Sequence, residues 1–292
     1  MFYVLSLLAG ILITVMVMFN GQLSEHYGIF TAAIIIHIVG LILISVMLFV
    51  RRENPIKKFH PWFFYLGGAI GVLTTVSNNF SFGRISVSSI MALGLLGQSI
   101  TGIIIDHYGL LNMPKHRLNR DKIIGVLLVA FGIIAMTDLV NFAPLAMFMS
   151  FIAGVCIVTS RTFNAKLTEA TSAGISTFFN YIVGLLVCIV VFLLIGDSER
   201  AAFSWAAFPV YMYLGGILGV SVVFMFNILV VKISAFYMTL FVFVGQVFSG
   251  IIVDAWLDGQ FSSRIFVGGI FVALGMCWNL IQDRRLKSTQ TT

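Results

Sequence analysis

The tetrapeptide Tyr65-Leu66-Gly67-Gly68 recurs as Tyr213-Leu214-Gly215-Gly216, 148 residues further along the chain. The same shift aligns further residues of distinctive type: Pro61 with Pro209, Gly71 with Gly219, Asn79 with Asn227, Gly97-Gln98 with Gly245-Gln246, and Gly102-Ile103-Ile104 with Gly250-Ile251-Ile252. Apolar composition alone would align Leu with Val, but it would not align Asn with Asn. The chain therefore contains a duplicated unit.

The composition places this duplicated unit in a membrane. The chain of 292 residues is 60% apolar and 10% charged, and its mean hydropathy is +1.06. Soluble domains carry about 25% charged residues, so this composition excludes a water-soluble fold. The 28 Phe and 27 Gly, beside only 5 Pro, are typical of helices that contact lipid on one side and each other closely on the other.

Charged clusters and turn residues divide the chain into ten apolar runs, each near the 20 or so residues that a membrane-crossing helix needs. The predicted spans are 2–24, 30–50, 62–80, 84–106, 120–138, 143–167, 173–195, 209–231, 233–256 and 263–282. No basic segment precedes the first run and no small-residue cleavage site follows it, so we expect a retained helix. The fold class predicted is an all-α, polytopic membrane protein with ten transmembrane helices.

The start of the chain repeats with a shift of 144, which aligns Asn20 with Asn164 and Val39-Gly40-Leu41 with Val183-Gly184-Leu185. We expect a first repeat at 1–140 and a second at 141–292, within one integral membrane domain. Each repeat holds five helices, an odd number, so the second enters the membrane inverted relative to the first. Inverted repeats are typical of secondary transporters, whose substrate site lies near the midplane between the halves.

The distribution of basic residues predicts the orientation. The face that carries the N-terminus holds 14 Lys and Arg, against 3 on the opposite face, namely Arg84, Arg200 and Arg264. Because basic loops stay on the cytoplasmic side, we expect both termini in the cytoplasm of a multi-pass protein of the cell membrane. The net charge of +6 belongs to these loops, and we expect no nucleic-acid partner.

The sequence contains no pattern for catalysis or for cofactor binding. Cys156, Cys188 and Cys277 lie singly in apolar runs, and no phosphate-binding loop, zinc-protease motif or serine-nucleophile motif occurs. We expect no enzyme, no cofactor and no metal site, and a monomer or a homodimer in the lipid bilayer. A channel or a structural membrane protein stays open as the alternative to a transporter.

Two five-helix halves in inverted order resemble the drug/metabolite transporter superfamily. Three stretches resemble its YdcZ-like branch: Asn20-Gly21-Gln22-Leu23, Pro61-Trp62 to Gly71, and Gly97-Gln98 to Leu110 with Asp106-His107-Tyr108-Gly109. Members of that branch are often single five-helix units, and this chain resembles two of them fused. The branch often has Gln four residues before the first-helix Asn, where this sequence has Met16 and Ser160. The resemblance implies a transporter.

Polar side chains inside a bilayer span are costly and are therefore candidates for function. Candidate substrate-binding residues are the amides that the repeat preserves, together with one arginine: Asn20 and Asn164, Asn79 and Asn227, Gln98 and Gln246, and Arg161. The alternative for each amide is a hydrogen bond to a neighbouring helix. Arg161 corresponds to Val17 under the repeat, so symmetry does not explain it. It either holds an anionic substrate group, or it extends to the cytoplasm or pairs with Glu169.

A second set of candidates concerns gating or coupling. His37 is the histidine within an apolar run, and its repeat partner is Tyr181; a hydrogen-bonded packing role is the alternative. Arg84 aligns with Lys232, and Asp106 with Asp254, all at predicted helix ends. We expect Asp106 with Lys232, and Asp254 with Arg84, to form ion pairs or hydrogen-bond networks between the halves. The alternative is that the acids cap loop amides and the bases are solvated.

These observations predict a secondary-active transporter of a small polar metabolite that works by alternating access. A multidrug or toxic-compound exporter is a further alternative. Small multidrug transporters bind cations at a carboxylate deep in the first helix, and the predicted first span has no such residue before Glu25. Arg161 favours a zwitterionic or anionic substrate over a cationic one.

Overall fold

The computed structural model describes residues 2–55, 60–108, 121–136, 143–196, 209–229, 232, 235–259 and 263–290. Within these ranges the chain is helical and contains no strand. The helices are α1 (Phe2–Tyr27), α2 (Ile29–Arg51), α3 (Leu66–Ser81), α4 (Val87–Tyr108), α5 (Asp121–Met136), α6 (Pro144–Ala170), α7 (Ala173–Ile195), α8 (Leu214–Leu229), α9 (Ala235–Asp258) and α10 (Ser263–Gln290).

The structure places a helix at each of the ten predicted spans, with ends that differ by a few residues in most of them and by eight in α10, which continues to Gln290. One local difference occurs in both halves. The predicted third and eighth spans begin with short 3-10 helices, Trp62–Tyr65 and Val210–Tyr213, which precede α3 and α8. Each follows a proline, Pro61 or Pro209. The same irregular start occurs in both halves, so it belongs to the repeated unit.

Local sequence explains several helix ends. Gly28 alone separates α1 from α2, and its φ of 88° lies in a region that glycine enters without a steric penalty. Pro144 occupies the first turn of α6, where its missing N–H leaves no hydrogen bond unmade. Ser172 caps α7 by accepting a hydrogen bond from the backbone N–H of Ile175 at 3.1 Å.

The outer surface of the bundle is apolar. Phe49 is 84% exposed, Leu194 is 79% exposed and Leu193 is 76% exposed, although side chains of this kind are usually buried in soluble proteins. Within the described residues, five helical segments are long and apolar enough to cross a membrane by length and composition, namely α1, α2, α6, α7 and Val210–Leu229. These exposed side chains therefore face lipid.

The contacts between helices follow the inverted repeat. Helix α1 packs against α8 and α9 of the other half, and α6 packs against α3 and α4 in the same way. The pairs α2 with α7, α4 with α9, and α5 with α10 each join equivalent helices. Exchanging the halves reproduces the pattern, so the two units are interlocked rather than placed side by side.

Glycines allow this close packing. A Cβ added at Gly154 of α6 would lie 2.0 Å from the carbonyl oxygen of Gly94 in α4. A Cβ added at Gly10 of α1 would lie 2.1 Å from the carbonyl oxygen of Val242 in α9. Small residues let helix backbones approach this closely, and the repeat places them at equivalent contacts.

Candidate functional site

A cavity of about 140 Å³ lies between the two halves. It is lined by the first three helices of each half, α1 to α3 and α6 to α8. The residues around it are Ile13, Met16, Asn20, Ile36, His37, Gly71, Thr74, Thr75, Asn78, Ile157, Ser160, Arg161, Asn164, Asn180, Tyr181, Gly219, Val222, Val223, Phe226 and Asn227.

The lining follows the repeat but differs in chemistry between the halves. The pairs Asn20 with Asn164 and Gly71 with Gly219 are identical, so the cavity lies where equivalent positions of the halves meet. Other pairs have diverged in polarity: Met16 with Ser160, Ile36 with Asn180, Thr74 with Val222, and Asn78 with Phe226. The fold is symmetric, and the surface offered to a solute is not.

Arg161 lies in this lining and is half-buried. Its guanidinium carbon is 3.7 Å from the centroid of the Phe226 ring, a cation–π contact. Its Nη1 donates a hydrogen bond of 3.3 Å to Oε1 of Gln98. Among the described residues, no carboxylate lines the cavity.

Asn20 and Asn164 line the cavity and are 5% and 6% exposed. The Oδ1 of Asn164 occupies the space that a Cβ of Gly67 would take, at 2.1 Å from that position. The Oδ1 of Asn20 stands in the same relation to Gly215, at 2.0 Å. Each amide therefore packs on the first turn of a helix from the opposite half, and the repeated glycines of α3 and α8 make room for it.

The two members of the second amide pair, Asn79 and Asn227, lie in different surroundings. Asn227 lines the cavity and donates through Nδ2 to Oγ1 of Thr177 at 3.0 Å. Its repeat partner Asn79 is buried but is not among the lining residues, and its Nδ2 has no hydrogen-bond partner among the described residues. Only one member of this pair therefore contributes to the cavity surface.

Gln98 and Gln246 do not line the cavity, contrary to the expectation that they face it with Arg161. Each follows a glycine, Gly97 or Gly245, at which α4 or α9 contacts a helix of the other half. The backbone nitrogens of Gln98 and Gln246 lie at these interfaces, next to Gly154 and Gly10 of the other half. Gln98 still reaches the site through its hydrogen bond with Arg161, whereas Gln246 is 3% exposed and its Oε1 has no described partner.

His37 and Tyr181 pack against each other between α2 and α7, with ring centroids 5.5 Å apart. Each ring also covers a glycine of the other half: His37 covers Gly184 and Tyr181 covers Gly40. The Nδ1 of His37 is 2.7 Å from the carbonyl oxygen of Ala33. This geometry agrees with the hydrogen-bonded packing alternative, and His37 also reaches the cavity surface.

The charged helix ends form a different network from the one expected. The carboxylate of Asp254 in α9 accepts hydrogen bonds from the backbone N–H groups of Val87 at 2.6 Å and Ser88 at 2.9 Å, and from the Ser88 hydroxyl. It thus joins the halves by binding the N-terminus of α4, where a negative charge is favoured. Arg84, its expected partner, instead lies over the Phe80 ring and donates to the Phe80 carbonyl oxygen.

The other expected pair is only partly described. Lys232 is exposed, and the side chain of Asp106 lies outside the described part of the structure. The pairing of Asp106 with Lys232 stays a prediction.

Sequence reasoning missed several lining residues, including Thr74, Thr75, Asn78 and Asn180. Selecting amides by their conservation between the halves removed Asn78 and Asn180, because their partners are Phe226 and Ile36. Polarity within a predicted span would have found all four.

Within the described ranges, no group of three His, Cys, Asp or Glu side chains is placed to hold a metal ion.

Ten helices in two inverted halves, with a cavity between them that both polar and apolar side chains line, have the architecture typical of a membrane transporter. The chain belongs to the family described as "Putative inner membrane exporter, YdcZ", which matches residues 1–135 and again 145–278. It is thus a multi-pass membrane protein with two tandem units of a transporter family, which is not an enzyme family.

A solved crystal structure of another protein has the same architecture. It is 12% identical, its TM-score is 0.65, and the match covers 96% of this chain and 97% of that chain. At this identity the likeness shows the fold alone. No curated protein matches the sequence.

Proposed function

We propose that this protein is a secondary transporter that moves a small polar metabolite across the cell membrane by alternating access between two inverted halves. The observation that carries the proposal is the cavity, which both repeats line and in which Asn20 and Asn164 place an amide at equivalent positions. Its volume of about 140 Å³ is close to the roughly 150 Å³ of a cavity that holds benzene. The family description as an exporter favours outward transport.

Hydrogen bonds join the halves at both ends of the bundle. At the face opposite the N-terminus, Asp254 of α9 binds the start of α4. At the face of the N-terminus, the Ser172 hydroxyl at the start of α7 donates to Oε2 of Glu53, which follows α2. In alternating access these contacts break in turn. Both halves of one chain line the cavity within the described residues, and we propose that one chain carries out transport, whether it is a monomer or part of a homodimer.

The orientation follows from the basic loops, with both termini in the cytoplasm. A Cys placed at Asn54, after α2 in a basic loop, should resist a membrane-impermeant maleimide in intact cells and react in inside-out vesicles. Cys156, Cys188 and Cys277 are replaced by Ala beforehand. Reaction at position 54 in intact cells would reverse the assignment of the faces.

Asp254 and Ser88 should act together in closing the outer face. Ser88→Ala removes the hydroxyl hydrogen bond to Asp254, and Asp254→Asn replaces one of the two accepting oxygens by an amide nitrogen, so each variant weakens the contact of α9 with α4. Each should therefore increase the labelling, from outside, of a Thr74→Cys probe in the cavity. Because the two residues share one network, the double mutant should fall short of the sum of the single effects. Asp254→Asn combined with Arg84→Gln is the matched control and should be additive. Additive effects on labelling in both pairs of variants would contradict a shared contact between Asp254 and Ser88.

A further inference from the structure

Arg161 presents an uncompensated positive charge to the cavity. Among the described residues of the lining, Arg161 is the only Lys, Arg, Asp or Glu. Its contacts with described residues are one hydrogen bond to the neutral Gln98 and the Phe226 ring. A guanidinium has five N–H donors, so most of them stay available. A charge removed from water is unfavourable unless an opposite charge and hydrogen bonds compensate it.

The fold itself does not require this arginine. The equivalent position in α1 is Val17, which is 2% exposed and packs in the apolar core. An apolar residue therefore meets the packing requirement of this position in the other half. The charge at Arg161 needs another explanation, and its position on the cavity surface indicates a ligand.

We propose that the ligand of this cavity is a small organic monocarboxylate whose carboxylate binds the guanidinium of Arg161. The inference rests on the proposed function, because it names the substrate class of the same cavity. The guanidinium carbon lies 3.7 Å from the centroid of the Phe226 ring, and a guanidinium presents its N–H donors in a rigid planar fork. A carboxylate matches that fork with two parallel hydrogen bonds.

Charge balance favours a carboxylate over a phosphate. A phosphate monoester carries about −1.5 to −2 at neutral pH, and one arginine would leave part of that charge unpaired. A monocarboxylate is neutralised one to one. The amides of Asn20, Asn164 and Asn180 lie in the same lining and can bind a hydroxyl, amino or carbonyl substituent of the acid.

Matched pairs of ligands test the proposal on the purified full-length protein. The pairs differ only in the acid group: glycolate with glycolamide, lactate with lactamide, and propanoate with propanamide. At least one acid should raise the Tm in a saturable way, because a ligand of the native state stabilises it by mass action, and its amide should not. Equal shifts from acid and amide, or no shift from any acid, overturn the proposal.

Variants then assign the effect to one side chain. Arg161→Gln should abolish the acid-dependent shift. Arg161→Lys should weaken the apparent affinity about tenfold or more, because an ammonium cannot form the planar fork and one charge-assisted hydrogen bond has about that worth. Arg84→Gln, an arginine outside the cavity, is the control and should keep the shift. An unchanged shift in Arg161→Gln contradicts the assignment.

The ligand-free stability separates a binding role from a structural one. If Arg161 serves a ligand, Arg161→Gln removes an uncompensated charge, and the Tm without ligand should stay equal or rise. If Arg161 holds α6 against α4 and α8 through Gln98 and Phe226, the Tm should fall. A fall would overturn the proposal even if the variant still folds.

The failure of this inference and the failure of the proposed function give different results. The three amides of the matched pairs also serve as neutral polar solutes. The first case is that the neutral solutes raise the Tm and the acids do not, while the Thr74→Cys probe is labelled from both faces. That result would support the transport mechanism and contradict the carboxylate ligand. If the probe is not labelled from both faces, the result contradicts the transport mechanism, whichever solute binds.

Discussion

Gly97→Ala should destabilise the protein by about 1–3 kcal/mol, as overpacked buried contacts do, while Gly102→Ala on the same helix should not. A Cβ at Gly97 would lie 2.2 Å from the carbonyl oxygen of Phe151, so α4 and α6 would have to separate. At Gly102 a Cβ would meet no atom of the described residues within 4 Å. There Gly102→Ala should raise the free energy of unfolding by about 0.5–1 kcal/mol, because Ala has a higher helix propensity than Gly. Thermal unfolding in detergent gives the comparison.

The inverted repeat extends this prediction to the second half. Gly245 aligns with Gly97, and a Cβ there would lie 2.4 Å from the carbonyl oxygen of Leu7. Gly245→Ala should therefore lower stability by an amount similar to Gly97→Ala. A neutral effect at either position would contradict the close helix contacts of α4 with α6 and of α9 with α1.

A disulfide between α4 and α9 should abolish transport. Ser88→Cys and Asp254→Cys introduce thiols at positions whose side chains hydrogen-bond across the halves. Oxidation should hold the outer face closed, and a reductant should restore activity. Ser88→Cys alone under the same oxidant is the control. Full activity with the disulfide formed would show that the outer ends of α4 and α9 need not separate.

Much of the fold could be predicted from the sequence, because apolar length and repeated side chains carry that information locally. The ten spans and their inverted order are confirmed, and the family assignment is confirmed. The division into 1–140 and 141–292 stays a prediction. The 3-10 starts at Trp62–Tyr65 and Val210–Tyr213 were not predicted, since hydropathy does not distinguish an irregular turn from a helix.

The site was less predictable, because helical periodicity does not say which neighbour a face will meet. Arg161 and Asn164 line the cavity. Gln98 and Gln246 are also polar residues within predicted spans, but they lie at helix interfaces where glycines allow close contact. The hydrogen bond that the Asp254 carboxylate accepts at the N-terminus of α4 depends on contacts between the halves. Those contacts are a property of the assembled bundle.

The accessibility of a single Cys at Thr74, in the cavity lining, tests the central claim most directly. The probe is labelled with an impermeant maleimide in intact cells and in inside-out vesicles, with and without the disulfide between Ser88→Cys and Asp254→Cys. That disulfide is formed first, so that its thiols do not react. Alternating access predicts labelling from both faces, and loss of labelling from outside alone once the outer face is locked. Unchanged labelling from outside in the locked protein, or labelling from one face only in the unlocked protein, would contradict the account.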